Sequence, residues 1–328
     1  VALAVAYAFT NGLHDAANSI ATLVASRAAR PGPAVVLAAG GNVLGPVLFG
    51  AAVASVVAGI VQVPAPETVP VIGAALTSAV GWNLVTWRLG IPSSSGHALV
   101  GGLVGAAVVV GGRDAVRWGP LDGWKPSGIG GVLLALAIAP IAGAGAGWVL
   151  DRVLRRLLSR ATVALRQPLR GLQWLTAGVV AFGHGANDGQ KAVGLIGALL
   201  FAAREVDSLR APRWAALACG VALTFGTALG GWPIVKTVGQ RIFRLRPVDS
   251  LASQGGSAAV LVVSTVVGAP VSTTQLVASS VVGAGAGRGR GHHVRWPVVR
   301  EIAVAWLVTL PVCALVGAAA LVPWRWAT

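Results

Sequence analysis

Long apolar runs, broken at intervals by short polar or basic clusters, set the rhythm of this chain. Val1–Ser26 is the first run and ends at Arg27 and Arg30; Gly32–Val63 is the second, with Asn42, Gly45 and Pro46 placed to bend it. Val71–Gly90 and Ala98–Gly112 are apolar arms flanking the tip Ile91–His97, and Ile129–Leu150 follows after the polar stretch Arg113–Gly128. Beyond the arginine-rich connector Asp151–Arg170 the plan recurs. Gly171–Phe201 and Arg213–Val238 are spans, Ser250–Gly268 and Gln275–Gly287 flank the tip Ala269–Thr274, and Val298–Pro323 closes the series. Several runs approach or exceed the roughly 20 residues that cross a bilayer. The pattern predicts an all-α polytopic membrane protein made of two repeats, residues 1–150 and 171–328, joined by the connector 151–170. Each repeat is expected to carry a re-entrant helical hairpin, with tips near 92–97 and 269–275, where irregular backbone is tolerable only if it is buried or lines a cavity.

Two of the runs carry polar faces. In FGHGANDGQK, His184, Asn187, Asp188 and Lys191 stand at i, i+3, i+4 and i+7 and would share one face of a helix. Asn11, His14, Asp15 and Asn18 in TNGLHDAANS repeat the spacing. Ionised residues at membrane depth cost roughly 2.5–3.5 kcal/mol each on insertion scales, so the default reading is functional. Each Asp needs a cation, a proton or a cage of hydrogen bonds. Lys191 can offset Asp188, whereas Asp15 has no basic neighbour on its own face; Na⁺ or a proton would neutralise it. The plainer alternative is a polar network that holds crossing helices together.

The tips follow the two aspartates at similar distances, Pro92 and Pro270 lying 77 and 82 residues after Asp15 and Asp188. Ser93, Ser94 and Ser95 in one tip, and Ser272, Thr273 and Thr274 in the other, put hydroxyl donors beside the N-terminal end of the following arm. Hydroxyls, free backbone N–H groups and a helix dipole make an anion site; ordinary N-capping is the alternative. His97 and Gln275 come next at matching positions, able to bond an oxyanion or to brace the hairpin.

Composition agrees with the membrane reading: 55% of residues are apolar, 11% are charged and the mean hydropathy is +0.77. The net charge of +15 lies in short clusters without the interleaved aromatics of a nucleic-acid groove, so a positive-inside bias accounts for it better. With the connector inside, the cytoplasmic loops hold 16 of the 25 Lys and Arg against 7 outside. Both termini are then outside and the two halves are inverted, as in many secondary transporters. Cys219 and Cys313 lie singly in apolar runs and show no metal-ligand spacing. The first apolar run carries a polar motif, so no separate signal peptide is expected. Neither HExxH nor Gly-x-Ser-x-Gly occurs, and no cofactor or transition-metal site is expected. An enzyme is not expected, an intramembrane acid-pair hydrolase on Asp15 and Asp188 being opposed by Lys191 beside Asp188. The glycine runs Gly143–Gly147 and Gly283–Gly287 read as close helix contacts.

The motifs GHGANDGQK, NGLHDAANS, PSSSGH and PVSTTQ, in this order, resemble the paired signatures of the inorganic phosphate transporter (PiT) family, its bacterial branch above all. The resemblance runs from near residue 1 to near 325. It implies an inverted-repeat fold with two re-entrant hairpins, phosphate at mid-membrane, a driving cation (Na⁺ or H⁺, or a metal carried as its phosphate), and a homodimer in the bacterial cytoplasmic membrane. Carried over by residue, it assigns Asp15, Asn18, Asn187 and Asp188 to the cation, and the tip hydroxyls with Lys191 to phosphate. Asn11, His14, His97, His184, Gln254 and Gln275 fall in a surrounding shell. The chain departs from the signatures at Gly96, where many members keep a hydroxyl, and at Gln275, where many carry histidine. Gln254 aligns with a glutamate of the sodium-coupled animal members, and its neutral amide argues against Na⁺ coupling by that scheme. An uncoupled permease, or one for another oxyanion such as sulfate, is the alternative.

Overall fold

The computed structural model describes residues 1–49, 52–119, 128–160, 165–288 and 294–327. The middle of the Arg113–Gly128 stretch and parts of the connector and of the basic stretch 288–297 lie outside the described residues. The first half comprises α1 (Ala2–Ala25), α2 (Pro31–Leu48), α3 (Ala52–Ala58), α4 (Ala65–Leu89), α5 (Ser95–Gly111) and α6 (Gly128–Leu157). The second comprises α7 (Arg166–His184), α8 (Gln190–Ala202), α9 (Arg213–Leu229), α10 (Trp232–Lys236), α11 (Pro247–Val266), α12 (Thr273–Gly287) and α13 (Trp296–Ala327). Among the described residues the only extended pairing is an isolated bridge between Val61 and Val116.

Among the described residues five segments are long and apolar enough to cross a membrane, α2, α4, Ser95–Ala115, α6 and α13, and the bent pair Arg213–Leu229 and Trp232–Arg241 makes a sixth if it is one span. The most hydropathic window of α13 has a mean hydropathy of 2.3, yet only 22% of it is buried within the protein. An apolar helix with its apolar residues turned outward fits lipid, not water.

Three expected elements are more broken than the hydropathy pattern predicts. The span Gly32–Val63 splits into α2 and α3, with α2 ending two residues beyond Pro46. Arg213–Val238 is not one straight span: α9 and the segment Trp232–Arg241 meet at 63° at Gly230–Gly231, where Gly230 has φ of +73°. The face in FGHGANDGQK is not a plain α-helix. A π-helical turn, Gly185–Gly189, sits between α7 and α8, whereas the matching stretch of α1 is uninterrupted. Hydropathy averages over many residues and is blind to such local changes of winding.

The long helix that ends each half packs on the hairpin of the other half. α6 lies against α11 and α12, and α13 against α4 and α5. Glycines permit the close approach: a Cβ on Gly143 or Gly147 would strike α12 at Leu276 or Ser280, and one on Gly283 would strike the backbone of Ala144 in α6. Each packing also ends in an ion pair between the last turn of the long helix and the first turn of the hairpin's first arm. Arg155 of α6 bonds Asp249 of α11, and Arg325 of α13 meets both carboxylate oxygens of Glu67 of α4 at 2.9 Å. The first pair is the more elaborate, since Asp249 and Asp151 are both fully buried and share Arg155, with Arg288 3.1 Å from Asp249.

Gly283→Leu should therefore lower the melting temperature of the purified protein in detergent, because overpacking a tight contact costs about 1–3 kcal/mol. Gly145→Leu, on the facing helix α6, has open space around it and should melt as the wild type does. Equal melting of the two variants would refute the glycine seam.

Candidate functional site

The two aspartates lie at the centre of the molecule, each 1% exposed, and the tips of both hairpins close on them. Helix propensity and capping explain the tips. Gly90 ends α4 in the left-handed conformation that glycine tolerates, and the chain turns through Ile91–Ser94 before α5 begins. Ser94 caps α5 by accepting from the backbone N–H of His97 at 3.1 Å, and Ser272 caps α12 by accepting from Gln275 at 3.3 Å. Both helices thus present first-turn N–H groups, at Ser95 and Gly96 and at Thr273 and Thr274, that an α-helix cannot satisfy internally. The two N-termini face one another, since Gln275 Nε2 donates to His97 Nδ1 at 3.2 Å.

The remaining hydroxyls turn to the carboxylates. Asp15 Oδ1 accepts from Thr274 of the far hairpin at 2.7 Å and from His14 Nδ1 at 2.7 Å, and Oδ2 accepts from Ser95 at 3.1 Å. Asp188 Oδ2 accepts from Thr273 at 2.6 Å, and its Oδ1 accepts from Lys191. Lys191 Nζ, 2% exposed, also donates to Val271 O in the second tip at 2.8 Å. Burial this deep makes every missing donor costly, which is why both carboxylates are so fully bonded.

His184 joins the two halves. Its Nδ1 donates to Asn42 Oδ1 at 2.9 Å, and Asn42 Nδ2 donates to Thr227 at 2.7 Å. With the proton held at Nδ1, Nε2 turns a lone pair to Asp188 Oδ2 at 3.5 Å and Asp15 Oδ2 at 3.8 Å, without a hydrogen bond of its own. One ligand atom from each of Asp15, His184 and Asp188 falls within 4.8 Å of the others, a set able to hold a cation. Two asparagines on the same stretches bond the second hairpin through their amide nitrogens. Asn18 directs its Nδ2 to Thr273 and Thr274 at 3.3 and 3.2 Å, and Asn187 directs its own to Ala269 O at 3.0 Å and Thr265 at 3.4 Å. The Oδ1 of each is buried without a hydrogen-bond donor.

Most of the residues singled out from the sequence thus converge. Ser93 lies 2.8 Å from the Thr86 hydroxyl and 3.2 Å from His14 Nε2, behind the first tip. Asn11 is fully buried on α1, one turn before Asp15, with neither amide atom bonded. The expectation that Asp15 lacks a basic neighbour on its own face is corrected by His14, whose ring folds back onto it. Gln254 stands apart: its amide can bond Thr176, Gln173 and Thr22, between α7 and the end of α1, and touches neither aspartate. The sequence reading missed three contributors. Asn42 looked like a helix bender, although a lone amide in an apolar span is itself a signal. Thr86 and Tyr7, whose hydroxyl donates to Ser95 O at 3.3 Å, resemble ordinary helix residues and gave none.

Fold and centre together define a polytopic helical membrane protein built around a buried ionic core. The sequence profile of the phosphate transporter family matches residues 11–168 and 158–317, and the chain belongs to that family. It is 40% identical over 324 residues to a protein of Rhizobium meliloti (strain 1021) named "Probable low-affinity inorganic phosphate transporter", covering 97% of this chain and 93% of that one. A Bacillus subtilis (strain 168) protein of the same name is 36% identical over 326 residues, covering 98% and 94%. A solved structure titled "The sodium-dependent phosphate transporter" superposes with a TM-score of 0.85 over 100% of this chain and 98% of that one, at 23% identity. The family and these relatives are transporters, not enzymes.

Thr274→Val should destabilise the protein by about 1–3 kcal/mol, since it strips a donor from buried Asp15. Thr274→Ser keeps the hydroxyl and should recover most of the loss. Detergent unfolding midpoints check this; equal midpoints for Val and Ser would show that the hydroxyl does not bond Asp15.

Proposed function

We propose that the chain is a secondary active transporter that carries inorganic phosphate with a coupling cation, by alternating access between two inverted halves. The observation that carries this reading is the meeting of two helix N-termini, α5 and α12, above two buried carboxylates. Abutting N-termini repel one another, and an oxyanion between them relieves that repulsion while satisfying first-turn N–H groups. Phosphate, as HPO₄²⁻ or H₂PO₄⁻, would take donors from Ser94, Ser95, Ser272, Thr273 and Thr274, with Ser93 bracing the first tip. The exchanged packing of α6 and α13 on opposite hairpins supports the inverted repeat and the re-entrant hairpins. In this reading both termini are outside, the connector 151–170 is cytoplasmic, the membrane is a bacterial cytoplasmic one, and the protein is a homodimer.

Coupling follows from how the hydroxyl protons are shared. Ser94 and Ser272 accept at their caps, so each keeps its own proton for an oxyanion. Ser95, Thr273 and Thr274 commit theirs to Asp15 and Asp188. A cation bound to the carboxylates takes over that neutralisation and frees the three hydroxyls to turn to phosphate. Anion and cation then each improve the other's site. The bare oxygens of Asn18 and Asn187 favour Na⁺ over a proton, because only a metal cation would use them. A related fold titled sodium-dependent agrees. The argument from Gln254 against Na⁺ loses force, that residue being bonded away from the carboxylates.

Proteoliposomes test the proposal. Labelled phosphate should accumulate against its gradient when an inward Na⁺ gradient is imposed, and excess sulfate should leave uptake nearly unchanged. Asp15→Asn and Asp188→Asn should each abolish accumulation while the protein still inserts and elutes as the wild type does. Uptake indifferent to both Na⁺ and proton gradients would replace the symporter with a passive pathway. Equal competition by sulfate would replace phosphate selectivity with general oxyanion binding.

A further inference from the structure

The polar faces of α1 and of the α7–α8 stretch are registered by their aspartates, and in that register Asn18 of the first half stands where Lys191 stands in the second. Asn18 ends in an amide whose oxygen is bare. Lys191 ends in an ammonium held by an Asp188 oxygen and by the carbonyl of Val271, a backbone carbonyl of the second tip. A carboxylate oxygen and a freed tip carbonyl are the ligands that a transported alkali cation takes in broken-helix sites. We propose that Lys191 is a built-in cation: its ammonium occupies in the second half the place of a transported ion, so each phosphate travels with one fewer coupling cation than a site with two amides would need. The inference rests on the cation-coupled reading given under Proposed function and deepens it.

Three features support the assignment. The first is space. Gly96 faces the ammonium, and a Cβ built on it would lie 3.2 Å from Nζ, whereas the corresponding position of the second tip is Thr274, whose hydroxyl serves Asp15. The first tip therefore lacks a side chain where the lysine reaches across to it. The second is burial: an ammonium only 2% exposed, with these oxygens around it, is held as an ion and not as a solvated surface charge. The third is charge. Lys191 answers Asp188 with a charge of opposite sign, while the bonded partners of Asp15 are two hydroxyls and an imidazole. The other oxygen of Asp188 lies 3.5 Å from His184 Nε2, itself 3.8 Å from Asp15 Oδ2, and among the described residues these three form the one group of acidic and imidazole ligands able to hold a recruited cation.

The test is a count. Proteoliposome reversal potentials at fixed phosphate, Na⁺ and proton gradients give the cations moved per phosphate for the wild type, Lys191→Asn and Lys191→Arg. Lys191→Asn should raise the count by one and Lys191→Arg should keep it. Asp188→Asn/Lys191→Asn, which removes one charge of each sign but also the carboxylate that accumulation needs, is followed by melting alone. For variants that insert but do not transport, the slope of melting temperature against the logarithm of NaCl, with choline chloride as control, should about double in Lys191→Asn and revert in the double variant. An unchanged count and slope in Lys191→Asn would overturn the proposal. So would a large rise in phosphate KM with the count unchanged, which would make Lys191 a phosphate ligand. A wild type that ignores both cation gradients would instead defeat the coupled-transport reading itself.

Discussion

Two carboxylates sealed away from water must be met by donors, and here the donors come from both halves of the chain. Asp15 takes one hydroxyl from the first hairpin and another from the second, while His184 of the second half faces it from a third side. Removing any one hydroxyl leaves a buried charge short of a bond, a loss of about 1–3 kcal/mol. The first half cannot complete its own centre, whereas Asp188 takes its donors from within the second half. The duplicated faces thus act as one site, and the need to satisfy Asp15 fixes how the hairpins approach each other.

The packing outside the centre serves the same end. Each hairpin is gripped by the long helix of the opposite half through a glycine-lined seam and an ion pair at its far end. A hairpin and its gripping helix therefore behave as one body. The direct contact between the two tips is slight by comparison, a neutral bond from Gln275 to His97. Neutral hydrogen bonds contribute about 0.5–1.5 kcal/mol net. Direct bonding between the tips is thus weaker than the grip on each hairpin, as the proposed alternating access would need.

Much of this centre was legible in the sequence because polar residues at membrane depth are rare and need a reason. Asp15, Asp188, Lys191 and the serine and threonine tips stood out against apolar surroundings, and their repeated spacing linked them. What the spacing could not supply was the partner of each group. That Thr274 serves Asp15 while Thr273 serves Asp188 depends on where two distant tips meet, and contacts across 259 and 85 residues leave no local pattern. The π turn at Gly185–Gly189 was hidden for another reason. It inserts extra winding without changing composition, and it swings Asp188 and Asn187 relative to the ideal face. The bend at Gly230–Gly231 was signalled by its paired glycines, yet in a chain with 45 glycines that signal is faint.

The spacing of the two polar faces is repeated, but the chemistry at matched positions is not. The order of histidine and asparagine is reversed between the faces, His14 preceding Asp15 directly while Asn187 precedes Asp188. His14 consequently donates to its own aspartate, and His184 stands a turn back, where it looks toward both. The result is an unequal division of labour. Asp188 faces a charge of opposite sign, and Asp15 faces hydroxyls and an imidazole N–H. Hydrogen bonds from neutral groups spread an anionic charge without cancelling it, and in a low-dielectric interior the uncancelled part still reaches several ångströms. A symmetric pair of sites would divide that residual charge between two places. The asymmetry gathers it near Asp15 Oδ2, beside the bare nitrogen of His184 and within reach of both tips. There, an arriving cation and a phosphate between the helix ends would feel one another most strongly.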